Sequence, residues 1–473
     1  MNGVPEHVWS DQEVRSAVVV REFGHACRLI RERGGLRQAD IAGMTGLSQS
    51  FLSMLESGRR RLNNLDKIVQ FLNGLSAPSD LYPAAASAPA AGAPDRCAAD
   101  FVARSPDPEL PWTAARMVNA LEVAMEPNGE ASGIGRRGLL AASGIALTAF
   151  VNRWGTAQAE PLQRAAAGSR LTSGLLDSLQ HTTDHLRTID SAGGSGTLWE
   201  HGDRQLAFLH HLTKRSTYNE ETGRRLAAVI ADTAAQTGWF AFDAGDCRRP
   251  LGYLYAALRA AKASGDARLG AAALSYIAIY SYSTGTPHQA VAAAEQARRK
   301  TEHLATPALQ AMLLTRQARG HAKLGDRQRA TAALEQALEL CAQGPADNDP
   351  HWLYWISEAE VRGQAGSCYL DLGDLDRAAD SFTRAREALN PEQQRTMGLF
   401  LSRAATAHFA RGDADAGSVT AHQALDISKR VQSTRLDEHV RDMLRQLPRD
   451  TNNQQITDVR ERAAAMSEIG SLT

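Results

Sequence analysis

Polar side chains able to hydrogen-bond a base edge are gathered at one place in this chain. Gln49, Ser50 and Ser53 would share one exposed helical face, with Ser48 just before them and Met54 just after. A glutamine amide offers a donor beside an acceptor, the pattern that adenine complements, and serine accommodates either sense. Met54 could add an apolar contact to a thymine methyl. Gln38, earlier in the chain, and the run Arg59, Arg60 and Arg61, later in it, supply groups suited to phosphate oxygens. Chemistry of other kinds is thin. His181 and His185 stand one helical turn apart and could share a metal, but no third ligand follows at useful spacing and solvated histidines are the commoner case. His210 and His211 are adjacent, so on a helix their side chains diverge by about 100°. There is no Gly-rich loop ending in lysine, no G-x-S-x-G and no H-E-x-x-H. The expectation is therefore a binding protein, not an enzyme, without metal or cofactor.

The elements that must position those polar groups are two short helices between Gln38 and Ser57. They can cross steeply only if small or apolar residues fill the corner, and Ile41, Ala42, Leu47, Leu52 and Leu55 do so, with Gly46 at the turn. Ser48 then caps the second helix with its hydroxyl. A helix over Glu22 to Arg33 precedes them, apolar at Phe23, Ala26, Leu29 and Ile30. Glu56, Gly58 and an amphipathic stretch with Leu65, Ile68, Val69 and Leu72 follow. From about Glu22 to Gly74 the sequence resembles the Xre/Cro type of helix-turn-helix repressor. That resemblance implies a lambda-repressor-like head on double-stranded DNA, with Gln38 at a phosphate and Ser48, Gln49, Ser50, Ser53 and Met54 toward the groove. Met54 departs from the basic or amide residue many relatives carry, which shifts the expected affinity toward phosphate contacts.

Charge agrees locally. Residues 21 to 67 carry nine Arg or Lys against five acids, whereas the whole chain sums to −1. A basic head on a mildly acidic body suits DNA contact confined to the head. The 473 residues, 43% hydrophobic and 22% charged, fit a soluble protein of two or three domains. Five cysteines without a C-x-x-C pair argue for a reducing compartment, hence a cytoplasmic protein, and against a zinc finger.

Residues 77–111 turn to Ala and Pro and read as a linker. Residues 112–160 read as connecting helices: Trp112 to Met125 suggests a short helix apolar at Ala115, Val118, Leu121 and Val123. Gly135 to Phe150, GRRGLLAASGIALTAF, looks like a twin-arginine export signal. Its internal position contradicts that, and its apolar run falls short of the roughly 20 residues that span a bilayer. A buried helix is expected there, with no integral membrane association.

The remainder is a repeat array, visible in its turns. Gly followed by Asp or Thr recurs at Gly245, Gly285, Gly325, Gly373 and Gly412. Each Gly sits where a helix C-terminus favours positive φ, and each Asp or Thr where the next helix needs a cap. Flanking segments place small residues at helical spacing, as at Ala322/Ala330/Ala337, Gly366/Tyr369/Ala378/Phe382 and Ala404/Ala407/Ala421. These resemble tetratricopeptide repeats. Five helix pairs are expected at 222–264, 267–301, 307–341, 354–389 and 394–430, with a capping helix near 435–447, and Leu171 to Leu212 as a degenerate first pair. Stacked, they would form a right-handed superhelix with a concave face.

The fold class expected is thus all-α: a helix-turn-helix head (15–76), a linker (77–111), connecting helices (112–160), a tetratricopeptide-like solenoid (165–450) and a tail (451–473). The plan is similar to that of actinobacterial Xre regulators with a repeat C-terminus and of peptide-pheromone sensors. It implies a transcriptional regulator, dimeric, whose repeats sense a peptide, small molecule or protein partner. Groove candidates are Tyr253, Tyr276, Tyr280, Arg316, Trp355, Glu358, Arg362 and Arg403. The competing expectation is an adaptor whose repeats sequester another regulator.

Overall fold

The computed structural model describes residues 4, 6–9, 11–19, 23–45, 47, 49–57, 71–72, 75, 77, 112–125, 150–157, 169–246, 249–448 and 453–468. The chain divides into two compact units, Met1–Gly92 and Ala93–Thr473. Helices dominate both, and the one strand pairing described joins Ser169–Arg170 (β1) in parallel to Ser216–Thr217 (β2).

The first unit contains α1 (Glu6–Trp9), α2 (Gln12–Val19), α3 (Phe23–Arg33), α4 (Gln38–Thr45) and α5 (Gln49–Glu56). Its core is most of the set the sequence points to: Phe23, Ala26, Leu29, Ile30, Ile41, Leu47, Leu52 and Leu55 are all buried, while Ala42 is only half-buried against them. Val8, Trp9, Val14 and Val18 extend that core, so the head begins earlier than residue 15. Each buried Leu or Ile contributes roughly 1.5–3 kcal/mol, enough for a small helical unit to hold itself together. The crossing of α3 over α5 depends on Gly24, where a Cβ would lie 2.2 Å from the Leu55 carbonyl oxygen. The expected helix over Leu65 to Leu72 lies mostly outside the described residues, although Phe71 and Leu72 are buried in the same core.

In the second unit α6 (Ala114–Met125) packs Met117, Ala120, Leu121 and Ala124 inward. Of the apolar positions expected there only Leu121 is fully buried; the true face is turned because Ala115 is exposed. Residues 150–156 are helical, and Phe150 is enclosed between Trp112 and Tyr255, with ring centroids 4.9 and 4.4 Å away. The Arg136-Arg137 segment lies outside the described residues. Among those described, no helix is long and apolar enough to cross a membrane.

The repeat array begins with α7 (Ser173–Gly193) and α8 (Leu198–Arg215). Five pairs follow: α9 (Glu220–Asp243) with α10 (Pro250–Ser264), α11 (Ala267–Ser283) with α12 (Pro287–Thr301), α13 (Pro307–Lys323) with α14 (Arg327–Cys341), α15 (Glu358–Asp371) with α16 (Leu375–Ala388), and α17 (Gln394–Ala410) with α18 (Ala414–Ser428). Consecutive helices pack on one another, as in a helical solenoid. The turn glycines 245, 285, 325, 373 and 412 all have φ between 74° and 87°. The carboxylates of Asp326, Asp374 and Asp413 accept the N–H groups of Arg329, Arg377 and Ala416. Thr286 departs from this pattern: its hydroxyl donates back to the Ser281 carbonyl oxygen instead of capping α12. Small residues allow close pairing, most plainly at Gly366, where a Cβ would stand 2.9 Å from the Phe382 ring.

Two features differ from expectation. Residues 451–473, read as a tail, contain α20 (Gln454–Glu468), which buries Ile456, Val459 and Met466 in the terminal core. The array also curls back on itself. The first helix of the last pair, α17, touches α7, and α19 (Thr434–Arg445) touches α9. Backbone hydrogen bonds join Gln432 to Gly193 and Gly196 at 2.8 and 3.0 Å, and the Thr434 hydroxyl donates to the Ala244 carbonyl oxygen at 2.9 Å.

Candidate nucleic-acid interface and repeat-domain cavity

On the head, α5 turns Leu52 and Leu55 into the core and leaves Gln49 and Ser53 exposed one helical turn apart. Met54 is half-buried beside them. Ser48, Arg59, Arg60 and Arg61 lie outside the described residues, as does the Ser50 side chain. The turn before α5 is organised by Thr45, a residue that spacing alone did not single out. Its hydroxyl donates to the Ile41 carbonyl oxygen at 2.7 Å and accepts the Leu47 N–H at 3.3 Å.

Glu56 ties the three helices together. Its buried carboxylate accepts from Arg31 at 3.1 Å and from the Gln38 amide at 3.0 Å, while its carbonyl oxygen accepts from Arg28. Burial, and then the charge of Glu56, push the Cys27 thiol far above its ordinary range, so it stays a neutral packing group. Gln38 is thus held at the start of α4 by Glu56, with its second amide hydrogen still available to a phosphate.

Residues 22–84 match the family model of a helix-turn-helix domain. The head is a helix-turn-helix unit. No curated protein matches the chain.

In the repeat domain, the inner faces of α7, α9, α11, α13, α15, α17 and α19 surround a cavity of about 110 Å³. Four of the eight sequence candidates line it: Tyr276, Arg316, Trp355 and Arg403. The others do not. Tyr253 is buried on α10, its hydroxyl donating to Asp203 at 2.6 Å. Tyr280 packs edge-on against Phe242, and burial pushes its hydroxyl up to about 12. Glu358 and Arg362 pair with each other at 2.6 Å, one helical turn apart.

The aromatic-rich segment Gly238–Asp246 forms the end of α9 and the turn that follows it. Trp239 stacks on Tyr276 with centroids 5.3 Å apart and reaches Asp190 with its indole N–H at 3.1 Å. Arg395 sits over the same ring and pairs with Asp190 at 3.0 Å and Asp243 at 3.6 Å, linking α17 to α7 and α9 across the closure. Both carboxylates are buried. Burial, countered by Arg395, holds the Asp190 carboxyl above its ordinary range.

A second polar cluster joins α7 and α9 to the 3-10 turn His351–Leu353. Asp184 and Asp232 approach His351 at 3.3 and 3.5 Å, and both pair with Arg187. Hydrogen bonds to the two carboxylates raise His351 to about 9. These three residues have metal-ligand geometry. Arg187 already supplies the positive charge a metal would bring, so the arrangement reads as an ion-pair clamp on the 3-10 turn His351–Leu353. His181 and His185 are both exposed on α7.

Proposed function

We propose that the chain is a sequence-specific DNA-binding transcriptional regulator, dimeric in function, whose repeat domain senses an effector. The observation that carries it is the exposed Gln49–Ser53 stripe on a helix whose opposite side is fixed in the head core, inside the helix-turn-helix match. Gln49, Ser50 and Ser53 would read base edges, Met54 would meet an apolar group, and Gln38, Ser48 and Arg59 to Arg61 would hold phosphates. The cavity inside the solenoid supports effector sensing, because a helical domain serving only as a dimer scaffold has no use for buried charged side chains around an open space.

The test begins with genome-wide mapping of bound sites, followed by affinity on a recovered site and on random duplex across a salt series. A phosphate-contacting head gives log K falling against log[salt] with a slope of several units. Gln49→Ala should cost about 1–3 kcal/mol on the specific site and little on random DNA, whereas Arg60→Ala should weaken both alike. Equal losses for Gln49→Ala on both duplexes would remove it from base readout. A flat salt response would favour the adaptor.

A further inference from the structure

The cavity's charges are not evenly matched around its wall. At the α7 and α9 side, Arg187 and Arg395 face Asp184, Asp232, Asp190 and Asp243. On the side built by α13, α15, α17 and α19 the balance reverses. Asp371 is the carboxylate shared by Arg319, Lys323 and Arg403, with Lys323 and Arg403 each at 3.1 Å. Arg435, on α19, makes no ion pair among the described residues and lies over the Trp239 ring at 5.6 Å. Arg316 stands 3.9 Å from Glu360, a loose pairing. The Nε–H of Arg403 is buried without an acceptor among the described residues.

Three cations on one carboxylate, with the unpaired Arg435 beside them in a partly closed space, cost free energy unless an anion joins them. The surroundings register that surplus: burial, and then Arg403, Arg435, Arg319 and Lys323, drive His439 well below its ordinary range, leaving a neutral imidazole at the same wall. Burial lowers Arg435 and Arg403 as well. Beside the cationic corner the wall is apolar, formed by Ile279, Trp355, Leu399 and Phe400. Because α17 and α19 return to α7 and α9, the concave face narrows to a partly enclosed cavity of about 110 Å³, a scale that suits a small molecule better than an extended peptide.

We propose that this cavity binds a small organic anion, its phosphate or carboxylate held by Arg319, Arg403, Arg435 and His439 and its apolar body resting on Trp355, Leu399 and Phe400. The proposal rests on the effector-sensing reading above and supplies the chemical class of the effector. Arginine suits the role because its planar fork matches both oxyanions. His439, neutral before binding, can offer one N–H to the same oxyanion.

The experiment uses the full-length protein at constant ionic strength, with phenyl phosphate, benzoate and pyrophosphate as probes and phenol as the neutral comparison. Phenyl phosphate or benzoate should raise the thermal midpoint of the repeat domain by about 1–3 °C at a few times Kd. Phenol should not. Arg435→Gln and Arg403→Gln should each weaken the anion about 10- to 100-fold, the loss of one charged hydrogen bond. Arg435→Lys should recover part of the affinity, and Arg384→Gln, which breaks an exposed pair with Asp380, should leave it unchanged. Comparing the ligand-free midpoints of the two Gln variants separates lost binding from lost folding, and Arg435→Gln breaks no ion pair. An equal shift by phenol, no shift by any anion up to ~10 mM, or equal losses in Arg384→Gln and Arg435→Gln would overturn the site. Operator affinity of the unliganded protein is measured in parallel. Intact operator binding with no anion response sinks the site alone, whereas an anion response without any operator binding supports the site and sinks the regulator reading.

Discussion

Replacing Arg395 with Met removes the cation that closes the solenoid while keeping most of the side chain's volume. Two buried carboxylates, Asp190 at 4% exposure and Asp243 at 0%, then lose their counter-ion. Breaking a buried pair by deleting one partner costs about 3–5 kcal/mol. The lower end is expected here, because the Trp239 N–H and the Ser195 hydroxyl still donate to Asp190, and the Ser195 N–H to Asp243. The sign with pH follows from Asp190, whose carboxyl is held above its unfolded value. A group raised in this way favours the folded state when protonated, and that contribution fades as pH rises through the folded pKa. Without Arg395 the carboxyl moves further up, so the variant should be weakest at pH 8 and recover toward pH 5. Urea unfolding of the full-length protein, followed by tryptophan fluorescence across that range, measures both quantities. Asp190→Asn in the Arg395→Met background should restore part of the loss at pH 8 and flatten the recovery. A loss below about 1 kcal/mol, the size of an exposed pair, or one that grows as pH falls, would refute the claim that this ion pair holds the closure.

Glu56→Ala should destabilise the head by about 2–4 kcal/mol, since it leaves Arg31 without its carboxylate and Gln38 without its acceptor; thermal unfolding of the head measures it. Gln38 would also lose its fixed position, so operator affinity should fall more than folded fraction accounts for. His351→Asn tests the ion-pair clamp. A histidine raised to about 9 contributes stability that is complete below its unfolded pKa near 6.5 and is lost as pH rises toward 9. The wild type should therefore lose stability over that interval more steeply than the variant, and parallel slopes would count against the clamp. A fragment ending near Tyr82 should be folded and monomeric by sedimentation and should bind operator far more weakly than the full chain. A full-length protein that is monomeric both free and on DNA would remove dimerisation from the proposal.

Much of the fold was legible because its signals are local. A glycine that must adopt positive φ leaves its mark at one position, which is why all five repeat turns could be placed from Gly245 to Gly412. The buried faces of α3 and α5 were readable for the same reason, through 3.6-residue periodicity. What escaped was set by contacts distant in sequence. The Arg395–Asp190 pair spans 205 positions, and nothing near either residue announces it. The segment Gly238–Asp246 is rich in aromatics, yet its role as an inner wall depends on Tyr276 and Arg395 arriving from other helices. Tyr253 and Tyr280 were offered as groove residues because tyrosine on a repeat helix fits either face, and only packing separates a core position from a lining one.

The closure also constrains how an effector could act. A concave groove in an open solenoid can change curvature gradually, whereas a ring sealed by Arg395, by the Gln432 backbone bonds and by Thr434 has a definite seam. The proposed anion would be held by α13, α17 and α19, all on one side of that seam, but Arg435 reaches across it to the Trp239 ring of α9, so closing the seam fixes one of the anion's ligands. An effector shifts an equilibrium only by its differential affinity for the two states. The four clustered cations repel one another most when the seam is closed and the cavity empty. Neutralising them therefore favours the closed ring, and Arg435, which makes no ion pair among the described residues, is where that preference should be largest. On this reasoning Arg435→Gln should mimic the bound state in part, stabilising the empty ring while abolishing the response to the anion. A variant that both loses the anion and unfolds more readily would show that Arg435 serves the packing of Trp239 and not the ligand.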